Sequence, residues 1–169
     1  RPFRVRRHRL GTPPEADPIV YEEPDPGFFV GVAKTLTDEF VLVATGDHVT
    51  SEVHLIPAAA PETPPRVVVP RRPGHEYGLA QRGDRFLVTT NDRHRNFRLV
   101  EAPVADPGEA NWREVLAPSD AVYLVGVVGF RDFVVTVTRE RGLVQVRLRY
   151  DDGRVVTVPW PESAYAAGL

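Results

Sequence analysis

Serine, histidine and carboxylate side chains are the groups in this sequence with chemistry to offer, and their spacing decides what they can do. Ser51, Ser119 and Ser163 stand in Thr-Ser-Glu, Pro-Ser-Asp and Glu-Ser-Ala. None lies in Gly-x-Ser-x-Gly, the sharp strand-to-helix turn that exposes a hydrolase nucleophile, so they read as turn and strand hydroxyls. The histidines are His8, His48, His54, His75 and His94. No two share an element at metal-ligand spacing: His48 and His54 fall in a loop and the strand after it. The chain has no cysteine to complete a donor set, so neither a metal centre nor a cofactor is expected. Phosphate-binding glycine loops are absent. Glu22-Glu23 and Asp151-Asp152 sit beside prolines or in turns; they read as solvated connectors, not as an acid/base pair tuned by burial. Arg4-Val5-Arg6-Arg7-His8-Arg9 is the one charge cluster. A nucleic-acid arm has that look, yet arginine alternates with Val5 in strand fashion and Glu15 and Asp17 follow, so an exposed outer strand is the expectation.

The elements that must position these groups repeat. Phe40-Val41-Leu42-Val43, Phe86-Leu87-Val88-Thr89 and Phe133-Val134-Val135-Thr136 start 46 and 47 residues apart. Each is followed, after a polar gap, by a second alternating strand: Glu52 to Pro57, Arg98 to Pro103 and Gln145 to Tyr150. A period in the mid-forties holding only strand-like pieces is the pattern of propeller blades, about four strands per unit. Helical repeats of similar length need apolar runs at 3.6-residue spacing, and the chain has none.

The sequence predicts strands at Phe28 to Lys34, Phe40 to Thr45, Ser51 to Pro57 and Arg66 to Val69. A second set follows at Glu76 to Ala80, Arg85 to Thr90, Phe97 to Pro103 and Trp112 to Leu116. The third is Val122 to Val127, Phe133 to Thr138, Leu143 to Tyr150 and Val155 to Val158, the last two joined by Asp151-Asp152-Gly153. Asp-Gly between alternating strands is a strong hairpin signal. The fold class expected is therefore all-β: a β-propeller fragment of about three four-stranded antiparallel blades. Their expected bounds are 24–72, 73–119 and 120–162. Residues 1–23 read as the outer strand of a preceding blade and a connector, and 163–169 as the start of another blade or a tail.

Composition limits the partners. The chain has 169 residues, 17 prolines and 13 glycines, which suits many short strands joined by turns. Its formal net charge of −2 predicts no strong attraction to nucleic acid or an acidic membrane surface. No apolar run approaches the length of a membrane-spanning helix and no signal-peptide pattern is present. A cytoplasmic location is compatible with this. Lys34 is the sole lysine and methionine is absent; the first points to a GC-rich genome and the second to an internal piece of a longer protein. A blade buries both faces of its sheet only between neighbours. If each uncovered face exposes roughly 500 Å² of apolar surface, at about 25 cal/mol per Å² the loss is on the order of 10 kcal/mol. Self-association through exposed blade faces is expected.

Several runs carry a family resemblance: Arg7-His8-Arg9-Leu10-Gly11-Thr12-Pro13 with Val20-Tyr21-Glu22-Glu23; Thr50-Ser51-Glu52-Val53; Pro70-Arg71-Arg72 with His75-Glu76-Tyr77; Asn96-Phe97; Trp112-Arg113-Glu114; and Arg141-Gly142-Leu143. In this order the chain resembles the prolyl oligopeptidase family of serine peptidases, on its oligopeptidase B (protease II) branch. The resemblance implies a seven-bladed propeller covering an α/β-hydrolase domain that holds a Ser-Asp-His triad and cleaves short peptides after Lys or Arg. This chain would be the middle of the propeller, with no catalytic residue of its own, gating peptide access to a hydrolase domain it does not contain. The first strand of each blade would line the channel, with Lys34, His75 and Glu76 as its polar candidates; for Glu76 and Tyr77, bonding between neighbouring blades is the plainer reading. Two alternatives stay open: a propeller scaffold for protein–protein binding without peptidase activity, and a relative whose hydrolase domain has lost its nucleophile.

Overall fold

The computed structural model describes residues 2–162 and 165–167; Ser163 and most of the expected 163–169 tail lie outside the described residues. The chain is all-β and divides into two compact units, Arg1–Glu76 and Tyr77–Leu169.

In the first unit, β1 (Arg4–Arg6) and β2 (Ile19–Glu22) form an antiparallel hairpin. Arg4 lies opposite Glu22 and Val5 opposite Tyr21, with an irregularity after Val5. The sequence led us to expect one outer strand and a connector here. The second strand escaped notice because Pro18 and Pro24 crowd four residues of weak alternation. Between the two strands Pro14–Ala16 makes a single 3₁₀ turn.

A four-stranded meander follows: β3 (Phe29–Lys34), β4 (Phe40–Gly46), β5 (Ser51–Pro57) and β6 (Arg66–Val67), in that order. The β4–β5 turn is closed by Asp47, whose Oδ1 accepts the Val49 and Thr50 amides at 2.8 and 2.7 Å, the local Asx chemistry that favours Asp in turns. Val43, Val53, Leu55 and Ile56 are buried between and beside these strands. The fourth strand is shorter than expected. Val68 and Val69 leave the ladder after Val67 but stay buried, the Val68 amide donating to Val53 O at 2.9 Å.

The second unit holds two such meanders. One is β7 (Tyr77–Arg82), β8 (Arg85–Thr90), β9 (Arg98–Pro103) and β10 (Arg113–Leu116), again paired in sequence order. The other is β11 (Val122–Gly129), β12 (Phe133–Glu140), β13 (Leu143–Tyr150) and β14 (Val155–Thr157). Register here is set by glycines with left-handed φ: Gly83, Gly142 and Gly153 each turn the chain back on itself. β11 and β12 each run two residues further than the alternation suggested, paired through Gly129↔Val134 and Val122↔Glu140 around an irregularity at Leu124/Gly126. The two sheets meet through Leu87 and Leu99 from one and Leu124 and Val134 from the other, all buried. Burial of each such side chain stabilises by about 1.5–3 kcal/mol.

Candidate functional site

The three polar positions expected to face a channel take different places. Lys34 ends β3 on the sheet edge, exposed, with its Nζ on Asp38 across the turn. His75 is buried, only 3 % exposed, in the connector that leads out of β6. Its amide donates to Arg72 O and its carbonyl accepts the Ser51 amide, both at 3.0 Å. Glu76, next to it, is half-buried. Ser51 opens β5, and the Ser119 hydroxyl accepts the Ala121 amide at 3.2 Å, closing a turn. Among the described residues no group of three or more His, Asp or Glu is placed to hold a metal ion.

The densest array of ionisable groups was missed by sequence reasoning. Arg71, just past β6, reaches back across the first unit. Its guanidinium donates to Glu23 at 2.7 and 3.1 Å, to Glu52 at 3.0 and 3.3 Å, to the Tyr21 hydroxyl at 3.1 Å and to Thr45 Oγ1 at 3.2 Å. Its own amide donates to Glu52 Oε2 at 2.8 Å, and its plane lies 4.2 Å from the centre of the Phe28 ring. The Tyr21 ring in turn leans on His54, 4.7 Å between centres, and His54 Nε2 meets Glu52 Oε1 at 3.0 Å.

The expectation that Glu22-Glu23 is a solvated connector is half wrong. Glu22 is exposed and pairs with Arg4. Glu23, two residues on from Tyr21 and so on the same side of the chain, has a side chain with no exposed surface. Burial by itself would push its carboxyl up. The Arg71 guanidinium, the Asp25 amide and the Tyr21 hydroxyl outweigh that and hold it at about 2. Glu52 follows the same pattern: burial opposes ionisation, while the Arg71 amide and guanidinium lower its carboxyl. Arg71 is held more firmly protonated, first by Glu23. Tyr21 is pushed up by burial and then by Glu23.

Each sheet of the second unit carries a comparable arginine. Arg98 of β9 is almost fully enclosed, paired to Asp92 at 2.7 and 2.9 Å and to Glu114 of β10 at 3.3 Å. Arg147 of β13 pairs with Glu140 across the β12–β13 ladder and donates to Thr138 at 3.0 Å. Arg82, at the end of β7, binds the Phe130 and Arg131 carbonyls at 2.8 and 3.0 Å and Asp151 at 2.7 and 2.9 Å. Asp151-Asp152 thus stays a turn, as expected, but Asp151 is recruited to a neighbouring sheet. What these arrangements can do is hold backbone and strands in place. No nucleophile, general base and oxyanion donor come together among them.

The sequence pattern of the prolyl oligopeptidase N-terminal beta-propeller domain matches residues 2–169. The chain belongs to this family. Over 167 residues it is 36 % identical to dipeptidyl aminopeptidase BI of Pseudoxanthomonas mexicana, covering 98 % of this chain and 23 % of that protein. Protease 2 of Moraxella lacunata is 32 % identical over 170 residues, 100 % of this chain and 24 % of that protein. Oligopeptidase B from Trypanosoma brucei, in a closed form with covalently bound antipain, superposes with a TM-score of 0.85 at 25 % identity, over 95 % of this chain and 24 % of that one. The chain spans about a quarter of the length of these relatives. Among the described residues, this prolyl oligopeptidase propeller segment has three four-stranded sheets and a two-stranded one.

Proposed function

We propose that this propeller segment controls peptide access to the active site of a serine oligopeptidase that cleaves short peptides after Lys or Arg. The catalytic α/β-hydrolase domain, its direct partner, lies in the rest of the parent protein. The observation that carries this reading is the match to Protease 2 and to oligopeptidase B along nearly the whole segment. A covering domain excludes folded proteins by size and closes over the reaction, which separates chemistry from bulk water. The first strand of each sheet, β3, β7 and β11, is a sheet edge and in this reading borders the route peptides take. Lys34 and Glu76 then contribute polar surface to it, while the enclosed His75 shapes the backbone that carries Glu76. A cytoplasmic setting belongs to the same reading and is checked by fractionating cells that make the parent.

The 36 % identity to a dipeptidyl aminopeptidase favours a second specificity on the same architecture. One comparison separates them: hydrolysis by the full-length parent of a chromogenic substrate ending in Arg with a blocked amino terminus, beside a free-amino dipeptidyl substrate. Cleavage of the blocked substrate is expected, with none by this chain alone. Cleavage of only the free-amino substrate establishes the aminopeptidase specificity. Inactivity of a folded parent on both replaces the peptidase reading with a binding scaffold or an enzyme that has lost its nucleophile.

A further inference from the structure

The two places where packed pieces meet within a unit are built on different chemistry. In the second unit the seam is apolar, made by Leu87, Leu99, Leu124 and Val134. In the first unit the seam between the β1–β2 hairpin and the β3–β6 sheet carries a polar cluster beside the buried Val43. Its centre is Arg71, bonded on the hairpin side to Tyr21 and Glu23 and on the sheet side to Thr45 and Glu52. To one side Arg7 donates to the Pro61 carbonyl and faces Glu62 at 3.9 Å.

Two clefts border this seam, and a third lies on the segment that leads into the sheet. One of about 480 Å³ lies between Arg7, His8 and Asp17 and the Pro61-Glu62 loop; another of about 270 Å³ separates Ile19 and Val20 from Pro64 and Pro65. A third, of about 320 Å³, runs between Phe3 and Phe28 beside Glu23. Residues that line an open cleft have no partner atoms on that side and forfeit those dispersion contacts.

We propose that the seam between the β1–β2 hairpin and the first sheet is a compliant joint of the propeller, and that the Arg71 side chain is the pin that keeps it shut. Parting an apolar seam exposes hydrocarbon to water with nothing in return. Parting a charge-pinned seam returns Glu23, Glu52 and Arg71 to water, and their recovered hydration offsets part of the lost attraction. The hairpin therefore moves against the sheet as a body while the seam between the other two sheets holds. Arg71 is a positioning residue in this role, and the hydrogen bond from its amide to Glu52 ties the connector toward His75 and Glu76 to the sheet.

The absence of cysteine from this chain supplies the test. Val43 is buried on β4, and the two-residue period puts it on the same face as Thr45, toward the hairpin. Val134 is the corresponding buried probe in the apolar seam. In the full-length parent, Val43→Cys and Val134→Cys are made separately, and modification of each thiol by iodoacetamide is followed by peptide mass spectrometry. Adding Arg71→Met is expected to speed modification at position 43 by about tenfold or more and to leave position 134 unchanged, since local opening there is limited by the pin. Arg71→Lys, which keeps the charge and loses the fork, is expected to give a smaller rise, and it carries the test together with Glu23→Gln if Arg71→Met does not fold. Equal rates at position 43 with and without the pin overturn the proposal. So does a parallel rise at both positions, which would mean global unfolding.

Discussion

Glu23 is ionised in a place that burial alone would make neutral, and the pH response follows from which groups outweigh that burial. Its carboxyl sits at about 2 against an ordinary 4.5. Because the folded value is the lower one, its contribution to stability is fully present above about pH 4.5 and disappears as pH falls toward 2. The displacement corresponds to on the order of 3 kcal/mol. Glu23→Gln removes both the charge and its titration. Urea unfolding followed by tryptophan emission should show a gap between native and variant of about 2–4 kcal/mol near pH 7 that closes as pH approaches 2. A gap that stays constant with pH would show that Glu23 contributes shape and not charge. That this carboxylate would be buried was not legible in Glu22-Glu23-Pro24-Asp25, a polar, turn-like run. Its partner Arg71 lies 48 residues away, and no local pattern reports a contact of that separation. The one local signal was parity, since Tyr21 and Glu23 share a side.

At the scale of elements, hairpin turns and sheet-to-sheet contacts make different demands on glycine. Gly153 closes the β13–β14 hairpin at φ +85° with open space around it, so Gly153→Ala meets only backbone strain, about 1 kcal/mol. Gly129 ends β11 where a Cβ would lie 2.8 Å from Arg82 Cβ, 3.0 Å from the Gln81 carbonyl and 3.3 Å from Leu87. There Gly129→Ala must push two sheets apart, costing about 1–3 kcal/mol, and it also disturbs the Arg82 bonds to Phe130 and Arg131. Thermal midpoints should therefore fall further for Gly129→Ala than for Gly153→Ala; the reverse order would place the strain in the turn. The turn at Asp151-Asp152-Gly153 was legible because its chemistry is contained in three adjacent residues. The closeness of Gly129 to Arg82 was not, because it depends on how two meanders stack.

For the whole molecule, the uncovered edges and faces carry the consequence. Phe29 and Val32 on β3 are half-exposed or more, as are Val125 on β11 and, to a similar degree, Val155 on β14. Apolar surface of this kind on a sheet edge without prolines is prone to pair with another chain. The isolated chain is expected to self-associate at micromolar concentration, with light scattering showing a mass that rises with concentration. A monomer of constant mass across that range would mean that the exposed strands are too few or too polar to drive pairing. In the parent, the same surfaces are expected to be covered by the remainder of the protein, so association of the full-length form should be weaker.

By itself the sequence determined the class, the number of four-stranded units and most strand positions. Ser51–Pro57, Arg85–Thr90 and Leu143–Tyr150 stand where the alternation put them. Alternating burial and turn residues act between near neighbours, and a mid-forties repeat states the same local instruction three times. Tertiary structure alone decided the pairing of Ile19–Glu22 with Arg4–Arg6, the enclosure of His75 and the gathering of Tyr21, Glu23, Glu52 and His54 around Arg71. Those outcomes depend on charges and backbone groups brought together from distant positions. Low dielectric strengthens the attraction within an enclosed ion pair while taking away its hydration, and that environment exists only once the sheets have formed.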